Sequence, residues 1–127
     1  MKNFLSIRSK YHNHAIKVNG ERFASKKEFL RWCQLLEMQE QGLISDLRRQ
    51  VKFVLIPAQR ETETVTPRGK QKPGKVIERE VAYYADFCYK DSNGELVVED
   101  TKGIRTDAYI LKRKMLLWFK GIRIREI

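Results

Sequence analysis

Cysteine, histidine and proline are scarce in this chain of 127 residues, at two, two and three. Two cysteines cannot build a disulfide framework. Cys33 and Cys88 lie in apolar runs without metal-ligand spacing, so both are expected to be buried, reduced thiols. Long apolar runs are absent too. None reaches the length that spans a bilayer, and the first residues lack a signal-peptide core, so a soluble cytoplasmic protein is expected. Internal repeats and long low-complexity tracts are missing. Acid is outnumbered by base: 26 Lys and Arg stand against 16 Asp and Glu, a net charge of +10. Such a balance points to a polyanionic partner, nucleic acid first, although a membrane surface or a ribosomal role shares the same charge. The length suggests one domain, 1–127, with a modest core.

The remaining composition resolves into elements along the chain. Residues 1–14 form a basic arm that carries Arg8, Lys10, His12 and His14. The string His12-Asn13-His14 is not an HNH nuclease motif, because that motif spreads its residues over a ββα unit. Asn19-Gly20 is a two-residue hairpin signal between short strands over 15–23. Ser25-Lys26-Lys27-Glu28 reads as a capping box that opens a helix to about Gly42. Phe29, Leu30, Trp32, Cys33, Leu35, Leu36 and Met38 give this helix a broad apolar face. Glu28 has two readings: it caps its own helix, or it reaches a functional site from the core-facing side.

A strand follows over 47–57, with Val51, Phe53 and Leu55 alternating against Lys52 and Val54. Residues 58–75 contain Pro67, Gly69, Pro73 and Gly74, and the charges of 66–75 are all basic: Arg68, Lys70, Lys72 and Lys75. This stretch is a mobile loop or the tip of an extended hairpin, either a phosphate-gripping flap or a solvated segment without a role. Near the end, Thr106 or Asp107 caps a helix to about Phe119. Its core stripe is Tyr109, Ile110, Leu111, Met115, Leu116, Leu117 and Trp118. Lys112, Arg113, Lys114 and Lys120 form a basic side, solvated or phosphate-contacting. Gly121 stops the helix, and Ile122, Ile124 and Ile127 belong to a closing strand.

The chain is organised around residues 81–102. Val81 to Lys90 is strand-like, Asp91-Ser92-Asn93-Gly94 is turn chemistry, and Leu96 to Lys102 is a second strand that ends in charge. Period-2 alternation puts Leu96, Val98, Asp100 and Lys102 on one face and Val97, Glu99 and Thr101 on the other. A three-residue loop ending at Gly94 pairs Asp91 with Glu95 and sets Asp86 opposite Asp100. A four-residue loop sets Asp86 opposite Glu99 instead. Gly94 favours the first register. Facing aspartates destabilise a hairpin unless a cation, such as Lys102 or a bound metal, compensates.

Acids on central strands with a lysine two positions on are what phosphodiester hydrolysis needs. Carboxylates hold a hard divalent cation, and a lysine stabilises charge on phosphate. Ala85-Asp86 followed by Asp100-Thr101-Lys102 resembles the PD-(D/E)XK nuclease superfamily, with Glu28 in the place of its first-helix acid. Ala85 stands where the signature has proline, and Asp100 where Glu is common. The chain over about 10–126 is also similar to a phage-borne family of formerly unknown function that resembles Holliday-junction resolvases. The shared segments are Lys10-Tyr11, Gly20 to Glu28, Tyr83 to Phe87 and Val98 to Gly103.

The resemblance implies an α/β fold. A mixed central sheet would carry helices on its faces in a restriction-endonuclease-like αβββαβ core, preceded by a short N-terminal hairpin. It implies a metal-dependent, structure-specific DNA endonuclease, foremost a Holliday-junction resolvase of phage or recombination DNA processing, in the host cytoplasm if phage-encoded. Glu28, Asp86 and Asp100 would bind Mg²⁺, with Mn²⁺ able to substitute, and Lys102 would be the catalytic lysine. Asp100 is preferred to Glu99 because it shares a face with Lys102. Lys10, Ser25, Lys26, Arg68, Lys70, Lys72, Lys112 and Lys114 would contact DNA, and symmetric cutting of a four-way junction calls for a homodimer. Two alternatives remain: another nuclease of the superfamily acting on duplex ends, flaps or specific sequences, and a non-catalytic nucleic-acid-binding module.

Overall fold

Turn residues set the framework. Asn19 and Gly20 both take left-handed conformations, φ 51° and 83°, which a tight two-residue hairpin requires. They join β2 (His14–Val18) to β3 (Glu21–Phe23), with Val18 paired to Glu21. The computed structural model describes residues 7–8 and 14–127, with side chains from Ala15 onward. β1 (Ile7–Arg8) pairs antiparallel with β2. Lys10 and His12 lie outside the described residues.

Ser25 caps α1 (Lys26–Glu40), its hydroxyl accepting from Glu28 N–H. At the other end Gly42 N–H donates to Gln39 O and Leu43 N–H to Met38 O, a Schellman stop. β4 (Ser45–Ile56) then leads into an arm. The arm is a narrow two-stranded extension: β5 (Gln59–Arg60) pairs with β8 (Val76–Glu78), and β6 (Thr64–Val65) with β7 (Gln71–Lys72). Of the two sequence readings of 58–75, the hairpin holds. Gly74 is required within it, since a Cβ there would stand 1.9 Å from Glu61 O.

β9 (Val81–Lys90), β10 (Leu96–Asp100), α2 (Asp107–Lys120) and β11 (Arg125–Glu126) complete the chain. The main sheet has the order β11-β10-β9-β4. It is mixed: β10 and β11 are parallel, the other pairs antiparallel. One helix serves each face. On the α1 face, Trp32, Leu35 and Met38 pack with Ile44, Phe87 and Tyr89. On the α2 face, Tyr109, Met115 and Leu116 pack with Leu55, Tyr83, Ala85, Val98 and Ile124.

The apolar stripes expected from sequence are too broad on both helices. Trp118 is 84% exposed, and Leu111, Leu117, Leu30 and Leu36 are exposed as well. One sheet face covers only the arc directly above it, so apolar residues a third of a turn away stay in water. Cys33 falls on such an arc and is exposed, against expectation, whereas Cys88 is buried. Among the described residues, no helix is long and apolar enough to cross a membrane.

Candidate functional site

The hairpin takes the three-residue register. Asp91 N–H donates to Glu95 O, and Gly94 (φ 78°) closes the turn. Leu96 pairs with Lys90 and Glu99 with Phe87, so the next step sets Asp100 opposite Asp86. Alternation then separates the two adjacent acids of β10. Val98 and Asp100 face α2, and Glu99 faces α1.

Glu99 is fully buried in a structural contact. Arg31 of α1 grips it with two hydrogen bonds, Nε to Oε1 at 2.8 Å and a terminal nitrogen to Oε2 at 2.7 Å. The Tyr89 hydroxyl donates to the same carboxylate. Its lone pairs are thus committed, and Glu99 is no part of the cleft.

Asp100, equally buried, is less well served. Tyr83 donates its hydroxyl to Oδ2. Oδ1 has Lys102 Nζ at 3.0 Å, an ion pair whose angle is not that of a hydrogen bond. Burial pushes the Asp100 carboxyl up to about 7, the charge of Asp86 adds to the rise, and Tyr83 and Lys102 oppose it. Burial likewise pushes the Tyr83 phenol upward, which keeps it a donor.

Asp86 is held from below by Thr101, whose N–H and hydroxyl donate to Oδ2 at 2.9 and 2.8 Å. Its Oδ1 turns toward Glu28 across the amide of Gln50. Gln50 Nε2 lies 3.4 Å from Asp86 Oδ1 and 3.2 Å from Glu28 Oε1. Glu28 makes contacts on both sides of the helix start. Oε2 accepts at 2.7 Å from the N–H of Ala24, the residue before the Ser25 cap, in place of the capping-box bond to Ser25 N–H, while Oε1 turns toward Gln50, with Arg49 at 3.7 Å. Burial first, and the Asp86 charge second, raise the Glu28 carboxyl above its ordinary range.

These residues meet at a cleft of ≈ 230 Å³ lined by Ser25, Lys27, Glu28, Asp86, Thr101 and Lys102, with Ala24, Gly103 and Ile104. Glu28, Asp86 and Lys102 are therefore brought together, with Asp100 behind Lys102. Lys102 also lies over the Tyr109 ring, 4.4 Å from its centre, so two contacts aim its ammonium. Ser25 reaches the cleft while capping α1, and Lys26 is exposed on the first turn beside it. The other expected DNA contacts stand apart from the cleft lining. Arg68, Lys70 and Lys72 are exposed on the arm, Lys112 is half-buried on α2, and Lys114 lines a separate hollow with Arg113 and Arg123.

Three further contributors carried no signal in the sequence: Gln50, Thr101 and Tyr83. Each acts through a partner at least 15 residues away. A strand propensity reading has no access to such pairs.

Among the described residues, no three Asp, Glu, His or Cys side chains form a ready-made metal-binding group. The donor chemistry nevertheless fits a hard divalent cation: oxygen ligands only, two of them raised by burial and mutual repulsion, and one buried oxygen, Asp100 Oδ1, without a hydrogen bond.

Among known proteins, the family described as Protein of unknown function (DUF1064) matches residues 8–125, and the chain belongs to that family. No curated protein and no solved structure matches the chain significantly.

Proposed function

We propose that this member of the family is a metal-dependent DNA endonuclease built on a PD-(D/E)XK core, acting on branched DNA as a junction resolvase. The observation that carries the reading is the meeting of Glu28, Asp86 and Lys102 at one cleft, with Asp100 one step beyond the Glu99↔Phe87 pair and ion-paired to Lys102. Three of these residues line the cleft, from α1, β9 and the segment after β10, with Asp100 at the end of β10 behind Lys102, and each has the charge type that phosphodiester hydrolysis uses. The order α1, β4, β9, β10, α2, β11 also follows the αβββαβ arrangement of that superfamily.

Glu28, Asp86 and Asp100 would hold Mg²⁺ or Mn²⁺, which supplies Lewis acidity and a more acidic water when bound. The chain's own residues supply the rest. Lys102, aimed by Asp100 and Tyr109, presents a positive charge to the scissile phosphate and stabilises the charge that grows on it during attack. Thr101 donates two hydrogen bonds to Asp86 Oδ2, and Tyr83 donates one to Asp100, which orients both carboxylates. In-line attack of water leaves 5′-phosphate and 3′-hydroxyl ends. Lys26 beside the cleft and Arg68, Lys70 and Lys72 on the arm contact phosphates away from the cut, as do Lys10, Lys112 and Lys114. Two symmetric cuts in a four-way junction require a C2 homodimer with two such clefts.

Cleavage of a labelled four-way junction beside linear duplex of the same sequence tests this, with Mg²⁺, Mn²⁺ or EDTA and with Asp100→Asn. Paired, metal-dependent cuts confined to the junction and lost in Asp100→Asn are expected. Cutting of linear duplex would retain the nuclease and discard the resolvase. Tight, salt-sensitive binding without cutting under any metal would overturn the catalytic reading in favour of a binding module.

A further inference from the structure

We propose that Gln50 is a switchable ligand of this cation site. Its amide nitrogen stands between Glu28 and Asp86, and the amide would turn over on cation binding so that Oε1, and not the N–H donors, faces the cation. The inference rests on the carboxylate cleft being a metal site and adds a residue to it.

Three observations support it. First, the amide end that faces the acids is settled by chemistry. Two carboxylate oxygens, at 3.2 and 3.4 Å, can be met only by the donor end, Nε2. An NH₂ group with one hydrogen toward each carboxylate is the neutral counterpart of a bridging cation. Second, the amide nitrogen keeps Glu28 Oε1 at 3.2 Å and Asp86 Oδ1 at 3.4 Å. Hydrogen bonds to nitrogen hold the oxygens more than 3 Å from the bridging atom, whereas oxygen ligands of Mg²⁺ lie at about 2.1 Å. The acids are therefore propped about 1 Å too wide on each side. A cation would draw them in and meet the amide N–H with the wrong sign, and rotation of the amide about its last bond replaces a repelled donor with an acceptor.

Third, the backbone is specialised at this residue. Gln50 has φ 51°, a left-handed conformation that favours glycine, in the interior of β4. It lies opposite Asp86, between the pairs Arg49↔Phe87 and Val51↔Ala85. Both strands exchange faces there. Val51, Phe53, Tyr83 and Ala85 pack toward α2, while Leu47, Phe87 and Tyr89 pack toward α1. The irregularity turns Gln50 and Asp86 into the cleft together. Backbone strain kept at a residue whose side chain bridges two acids is consistent with a use for that side chain.

Mn²⁺ binding to the DNA-free protein, followed by electron paramagnetic resonance and by the cation-induced shift in thermal midpoint, tests this. Gln50→Gly suits the left-handed backbone and removes only the side chain. It should bind Mn²⁺ about tenfold more weakly and keep the fold, checked by circular dichroism. Gln50→Glu should bind Mn²⁺ more tightly than the unaltered protein and show a lower thermal midpoint without metal. Asp86→Asn is the control for the site itself. Wild-type Mn²⁺ affinity in Gln50→Gly, together with loss of binding in Asp86→Asn, would overturn the role of Gln50 and leave the metal site standing. Absence of Mn²⁺ binding in the unaltered protein, or full binding in Asp86→Asn, would overturn both.

Discussion

Glu99 and Asp100 are neighbours in β10, both fully buried, and they have opposite fates. On the α1 face Glu99 meets a guanidinium and a phenol that match its oxygens. Its charge is neutralised where it stands, and it ties the sheet to the helix. On the α2 face Asp100 meets one phenol, one ammonium shared with a cleft, and a second aspartate across the hairpin. Burial costs both acids their hydration. Glu99 recovers it through hydrogen bonds to both oxygens, whereas Asp100 has a phenol on one oxygen and an ion pair to Lys102 on the other. The difference teaches that burial alone does not mark a functional acid. Incomplete partnering inside the fold is what singles out Asp100 for the proposed role.

The sharpest test of this contrast is catalytic. Asp100→Asn should lower junction cleavage by about 1,000-fold with the fold intact, measured by single-turnover assay. Glu99→Gln, assayed at low temperature where it remains folded, should cleave at close to the wild-type rate. Equal losses in both variants would erase the distinction.

Stability against pH is the next largest effect. Without metal, the folded protein holds the Asp100 proton up to about pH 7, while the unfolded chain releases it near the ordinary value of about 3.9. The folded state binds more protons between those values, so stability falls as pH rises from about 4 through about 7, by at most about 4 kcal/mol. Urea melts of EDTA-treated protein should show this slope. Asp100→Asn should remove most of it and leave the part that belongs to Glu28, raised in the same direction.

Glu99→Ala should cost about 3 kcal/mol of stability, because it strands Arg31, 19% exposed, against the sheet without its counter-charge. Replacing Arg31 and Glu99 together with methionine should recover most of that loss in the same urea melts, whereas no such apolar pair can restore cleavage on the other face. The smallest effect is that of the phenols. Tyr89→Phe should cost about 1 kcal/mol in the same urea melts. Tyr83→Phe should displace the slope to higher pH, because it removes a hydrogen bond that favours the ionised Asp100.

Much of this region was legible in the chain. Gly94 pointed to the loop length, the loop length set the register, and alternation placed Asp100 and Lys102 together and Glu99 on the other side. The caps were legible at Ser25 and Thr106, whose side chains accept from Glu28 and Tyr109 N–H. Other features were not. Cys33, Leu111 and Trp118 fall in apolar stripes yet are exposed, because periodicity reports which residues could be buried and not how wide an arc the sheet covers. The embrace of Glu99 by Arg31 joins residues 68 apart. Nothing local to β10 announces it.

What the sequence determined by itself is therefore whatever acts over a few residues: turns, caps, strand alternation, and the basic charge. Backbone sterics and hydrogen bonding between near neighbours decide these before any packing occurs. The tertiary structure decided which face each helix covers, which buried acid is paid in full by partners, and where the reversal at Gln50 and Asp86 turns two strands into a cleft. Those outcomes depend on desolvation and on contacts between distant segments, and both exist only once the chain has closed on itself.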